Sequence, residues 1–243
     1  MEKKAASAIM LTLLLTSMWA LAFNIQPVKA EGTIYIRADG SIDPPTAPIQ
    51  RNGDVYTLTG NITSSGDGIA IERDNMTLQG AAYTIQGSGA YPYCTGINVT
   101  GRMNVTIRNV GIRDFYYGVY LRGSSNNNVS TSFMKSNAFG ILLADSSEHN
   151  SISGNNLANN GYGGIKLYSS SSNILVGNNI KAYKNLDAGI TLGYSSNNSI
   201  VGNSMTNDQY GMWLYYSSNN SIHHNNFIYN AIQPGGYRHI CLW

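Results

Sequence analysis

Six side chains carry the chemistry that this sequence offers most readily. Tyr120, Lys166 and Trp213 each stand two residues after a glycine, and Arg122, Tyr168 and Tyr215 stand four residues after the same glycines. Leu142 and Thr191 complete the first series, and Ala144 and Gly193 complete the second. If those positions form strands, residues of equal parity share one face, so the two series become two parallel outward rows. Planar aromatic faces at strand spacing stack on sugar rings, while Lys and Arg bind hydroxyls or uronate groups. Tyr and Trp also suit strands through packing and cross-strand pairing. The rows alone therefore leave glycan binding and plain strand chemistry both open.

Two other chemistries have fewer residues behind them. Asp187 and Asp208 precede Gly189 and Gly211 by two and three residues, nearly in register on successive repeats, with Lys184 nearby in sequence. Sugar cleavage uses carboxylates about 5 to 5.5 Å apart for retention or about 6.5 to 9.5 Å apart for inversion. The pair is a catalytic candidate on that ground, and solvated loop charge is the alternative. Copper binding needs several His, Cys or Met ligands converging. His223 and His224 are consecutive on an expected strand and should face opposite ways. Met205 and Met212 fall in apolar columns, and His149, His239 and Cys241 lie in other parts of the chain. No metal ligand set is read, and neither copper nor calcium is called for as a cofactor.

The glycines that index these rows belong to a repeat. Gly118-Val119-Tyr120-Leu121, Gly140-Ile141-Leu142-Leu143, Gly164-Ile165-Lys166-Leu167, Gly189-Ile190-Thr191-Leu192 and Gly211-Met212-Trp213-Leu214 return at steps of 22 to 25 residues. Looser copies begin at Gly68 and Gly96. After each copy come a second apolar column, Val129, Ile152, Leu175, Ile200 and Ile222, and a third, Phe133, Leu157, Ile180, Met205 and Phe227. Period-two alternation marks all three segments as strands. A unit with three short strands cannot bury its apolar face alone, so neighbours must stack. The expected fold is all-β: a single right-handed parallel β-helix of about eight coils, with three short strands in each coil of 22 to 25 residues. Asn128, Asn150, Asn173, Asn198 and Asn220 at the start of the second strand, and Asn155, Asn178, Asn203 and Asn225 at its end, are candidates for ladders. An amide both donates and accepts, so it can bond to its copies above and below.

Composition agrees. The chain has 243 residues, 12% of them charged, with 26 Gly, 29 Asn and 26 Ser, a mixture that disfavours helix interiors. The formal charge of +2 falls to zero without residues 1–30, which excludes electrostatic binding of nucleic acid as a main function. Those thirty residues read as a signal peptide: Lys3 and Lys4, an apolar stretch to about Phe23, and small Val28 and Ala30 at the cleavage positions. A retained anchor is the alternative, and no other run is apolar enough to span a membrane. Residues 31–60, with Pro44, Pro45 and Pro48, suit an amino-terminal cap; 61–233 hold the repeats, and 234–243 form an irregular tail. An uncovered last coil invites edge pairing, so the tail folds over it, a second copy associates end to end, or the sequence is part of something longer. Cys94 and Cys241 lie five repeats apart, at least about 24 Å along a straight solenoid, too far to bridge within one chain.

The glycine column and the phrases Ser196-Asn197-Asn198-Ser199-Ile200-Val201-Gly202-Asn203 and Ser218-Asn219-Asn220-Ser221-Ile222-His223-His224-Asn225 resemble the NosD-type β-helix repeats. That group overlaps the carbohydrate-binding-and-sugar-hydrolase repeats of the pectin-lyase-like fold, and the likeness covers roughly residues 65 to 230. The lead-in Ile34 to Pro45 is similar to that of secreted archaeal members. The resemblance implies the fold, and it implies copper-site maturation, sugar cleavage or neither as activity. The Asp-Asp, His-Gly and Arg-x-Lys phrases of polygalacturonase-like relatives are absent. The expectation is an exported, surface-associated protein that binds polysaccharide or cell-envelope glycan without cleaving it. A polysaccharide lyase or glycoside hydrolase and a copper-handling accessory protein are the alternatives.

Overall fold

The computed structural model describes residues 32–89, 93–181 and 188–230, and every regular element among them is a strand. The chain winds as a right-handed parallel β-helix whose strands form three sheets. The first sheet takes the glycine-led strands, from Ile34–Ile36 through Tyr117–Arg122, Phe139–Ala144, Gly163–Tyr168 and Ala188–Gly193 to Tyr210–Tyr215. The second runs from Val55–Leu58 to Ser221–His223, and the third from Ile62–Thr63 to Asn226–Ile228. Among the described residues eight parallel rungs in each sheet make about seven full turns. At the amino-terminal end Ile42–Asp43 and Ile49–Asn52 pair antiparallel with the outermost rungs of the first and second sheets, covering edges that would otherwise offer open hydrogen bonds.

The inward columns are the core. Val119, Leu121, Ile141, Leu143, Leu167, Ile190 and Leu192 are fully buried, as are Val129, Ile152, Leu175 and Ile200 of the second sheet. In the third column the inward residue on one coil is Met134, not Phe133, which is 41% exposed. Ser132 fixes this register: its backbone N–H donates to Asn155 Oδ1 at 3.0 Å, which sets Phe133 beside Asn156 and Met134 beside Leu157. The glycine column has a steric cause. A Cβ added at Gly140 or Gly164 would stand 2.7 Å from the carbonyl oxygen of the next glycine along the stack. The corner between the third and first sheets is therefore too tight for any side chain.

Polar ladders run beside the core. The ladder at the end of the second strand is Asn155, Asn178, Asn203 and Asn225, linked by amide-to-amide bonds of 2.9 to 3.0 Å. At the start of the strand the ladder is Asn127, Asn150, Asn173, Asn198 and Asn220. Asn127 takes the place expected for Asn128, because Asn128 pairs with Ser151 as part of the strand. Each interior amide also donates to a backbone carbonyl, as Asn178 does to Ile152 O at 2.8 Å and Asn173 to Ser147 O at 2.9 Å. Beside the start-of-strand ladder lies an exposed column of left-handed residues that includes Asn75, Asn104, Asn197 and Asn219. These four begin Asn-x-Ser/Thr sequons, so a glycan attached there would leave the neighbouring ladder amides intact.

Replacing Leu192, stacked between Leu167 and Leu214, by Ala should cost about 2 to 5 kcal/mol in urea unfolding with little change in slope. Asn178→Ala deletes four buried hydrogen bonds and strands the backbone N–H of Asn155. Its cost should be about 3 kcal/mol or more, comparable with a core truncation although no apolar contact is lost. An Asn178→Ala protein as stable as wild type would reduce the ladder to turn chemistry.

Candidate ligand face

The first sheet presents the two outward rows in the expected order. Tyr120, Leu142, Lys166, Thr191 and Trp213 are Cα partners across successive rungs, and so are Arg122, Ala144, Tyr168, Gly193 and Tyr215. The structure divides these residues into two aromatic groups. Over the amino-terminal half, Tyr120 stacks on Tyr117 at 4.9 Å between centroids, Tyr117 stacks on Phe139 at 5.9 Å, and Tyr116 and Tyr162 join at the corner. Over the last coils, Trp213 lies 5.5 Å from Tyr210 and 5.8 Å from Tyr215. There Tyr194 contacts Tyr168, Tyr215 and Tyr216. Tyr117, Phe139 and Tyr210 form a third row just before the glycines, a recurrence the sequence held at the same period. Tyr194 and Tyr216 were harder to see, because they sit at the corner with φ of +53° and +49°, a conformation uncommon for a large side chain.

Between the two groups the face dips. The rung of Ala188–Gly193 carries small outward residues and lies between the rung of Lys166 and Tyr168 and that of Trp213 and Tyr215. Lys166, Thr191, Trp213 and Tyr215 line a hollow of about 290 Å³. Gly193 shapes one wall: a Cβ there would collide with the Tyr215 ring, so glycine lets that ring lie back across the neighbouring rung. The two cations differ in availability. Arg122 Nε donates to Asp145 Oδ2 at 2.7 Å, so its charge is compensated. Lys166 has no ion pair among the described residues, and its Nζ stands 5.3 Å from the Phe139 centroid.

Asp208 is 1% exposed and belongs inside the wall. Its N–H donates to Asn230 Oδ1 at 2.9 Å, and its Oδ2 would meet a Cβ at Gly189, just as Asn160 and Asn230 side chains would meet one at Gly140 and Gly211. It occupies an asparagine's place in a third polar column, away from any surface a polysaccharide reaches. Asp187 lies outside the described residues, as do residues 1–31, the tail from 231 and Cys241. Cys94 is half-buried, and burial, with Asp67 adding to it, pushes its thiol pKa up. The donors for copper do not assemble: among the described residues no three His, Cys, Asp or Glu come together, and Met205 and Met212 are core. His223 and His224 do meet, Nδ1 to Nδ1 at 2.7 Å on the exposed second sheet, but as a pair. The described residues do not fit a copper centre. No helix among them is long and apolar enough to cross a membrane.

Burial raises the pKa of Tyr117 and Tyr120, with Tyr116 a further cause for the first, while Arg122 partly opposes and Asp145 adds to the shift in the second. A folded-state pKa above the unfolded value of about 10 means that their contribution is complete below pH ~10. It is lost as pH rises through the folded value. Changing both to Phe should therefore move the midpoint of alkaline unfolding upward, read by circular dichroism, and leave neutral-pH stability nearly unchanged.

Among solved structures the chain is similar to the periplasmic alginate epimerase AlgG, with 15% identity over 82% of this chain and 70% of that one and a TM-score of 0.48. It is also similar to an alginate lyase from Paenibacillus sp., with 12% identity over 68% and 92% of the two chains and a TM-score of 0.38. A third likeness is to the A-module of a mannuronan C-5 epimerase from Azotobacter vinelandii, with 14% identity over 87% and 89% and a TM-score of 0.31. Among curated proteins none matches. Residues 49–237 match the family described as periplasmic copper-binding protein (NosD). That match spans well over half of the chain and carries the glycine column and the ladders, and the chain belongs to the NosD family.

Proposed function

We propose that this protein is exported beyond the cytoplasmic membrane and binds a polysaccharide or cell-envelope glycan along its first sheet without cleaving it. The observation that carries the reading is the hollow between Lys166 and Trp213, set in a face whose first outward row is aromatic at both ends, Tyr120 and Trp213. Sugar rings present apolar faces to Tyr and Trp and hydroxyls to Lys and Thr, and this face offers both on rigid strands. The periplasmic description of the family and the charged, apolar amino terminus support export. Binding without hydrolysis is supported by the burial of Asp208, which removes one member of the candidate carboxylate pair. No nucleic acid partner fits a chain whose repeat region is close to neutral.

Trp213→Ala combined with Tyr215→Ala should weaken retention in native gels cast with polysaccharides, by about tenfold or more in apparent affinity, with an unchanged β-sheet circular dichroism spectrum. Equal retention of the double variant and wild type across a panel that slows the wild type would exclude this face. Soluble products released from any of those polysaccharides would show cleavage and overturn the non-catalytic assignment.

A further inference from the structure

The hollow over Thr191 is more specific than the face around it. Its two walls, the rung of Lys166 and the rung of Trp213, are separated by two rung spacings, or about 9.6 Å. A ring in van der Waals contact with both walls needs about 7 to 8 Å between wall atoms, so one sugar ring fits there and two stacked rings do not. Trp213 supplies the apolar wall, and Thr191, 7% exposed, forms the floor with its hydroxyl. The opposite wall ends in the Lys166 ammonium.

Among the described outward residues of the last five rungs of this sheet, Arg122 and Lys166 are the charged ones, and Arg122 is already paired with Asp145. Lys166 is thus the uncompensated charge of the face, placed at the lip of a hollow otherwise lined by Thr, Trp and Tyr. Its Nζ stands 5.3 Å from the Phe139 centroid, a cation–π contact that uses none of its N–H donors and leaves them for a ligand. A neutral sugar would leave that charge facing hydroxyls, whereas a carboxylate would form a charge-assisted hydrogen bond. A phosphate monoester carries nearly two charges, and a single ammonium compensates only one of them.

We infer that this hollow takes a single sugar unit bearing a carboxylate, its ring against Trp213 and its carboxylate on Lys166, so that the glycan bound by the first sheet is an acidic, uronate-containing one. The inference rests on the glycan-binding reading and goes beyond it in naming the class of sugar.

The test is a nuclear magnetic resonance titration of the full chain with the methyl glycosides of glucuronate, galacturonate and mannuronate and of the parent glucose, galactose and mannose. At least one hexuronate should bind about tenfold more tightly than its parent hexose. Lys166→Gln should bring the two to parity by weakening hexuronate binding more than hexose binding, Lys166→Arg should keep the preference, and Trp213→Ala should weaken both. Parity in the wild type, or a preference that survives Lys166→Gln, overturns the inference while leaving glycan binding intact. Failure of all six sugars and of every polysaccharide in the gel panel overturns the glycan-binding reading itself.

Discussion

A strand of three residues has no hydrogen-bonding partner within its own coil, so every strand of this protein depends on the coil above and the coil below. That constraint forces parallel stacking at about 4.8 Å, and it forces each residue to face its own counterpart one turn later. Apolar residues become continuous columns, and turn residues become ladders because an amide over an amide is satisfied on both sides. The glycine column follows as well, since at its corner the backbone of one coil occupies the space a Cβ would need on the next. Stability is then a sum of near-neighbour interfaces, and removing one ladder rung is felt by two coils.

The same stacking turns differences between coils into surface relief. Where outward residues on one rung are small and those on its neighbours are large, the sheet acquires a hollow of fixed width without any loop or insertion. The rung of Thr191 and Gly193, between those of Lys166 with Tyr168 and Trp213 with Tyr215, is such a place. A site made this way is held by three strands of the core, each rigid through its own inward Ile or Met and Leu. It needs no closing segment to position its side chains.

Membership in a family described as copper-binding does not by itself place a copper site on this chain, because the family's repeats are the scaffold, and function lives in side chains placed upon it. Here the outward-facing chemistry of the first sheet is aromatic and cationic. Among the described residues the histidines that meet are an exposed pair on a different sheet, His223 with His224. The buried methionines fill core columns, where their thioethers serve packing.

Much of this was legible in the residues themselves. The period of 22 to 25, the glycines, the buried leucines and the two outward rows follow from local spacing, because a strand's side chains alternate and a parallel stack preserves the order from coil to coil. Register at single-residue precision was not legible. Asn127 rather than Asn128 joins the ladder, and Met134 rather than Phe133 faces the core, because the neighbouring coils decide which of two adjacent residues is aligned. Asp208 looked like a surface carboxylate in sequence, yet Asp has nearly the shape of Asn and took an asparagine's buried place. The pairing of Arg122 with Asp145, 23 residues away, joins two adjacent coils and leaves Lys166 as the available cation. Spacing within a repeat determines which face a side chain shares, whereas burial, pairing and relief depend on what the next coil places 4.8 Å away, and only the stacked structure decides that.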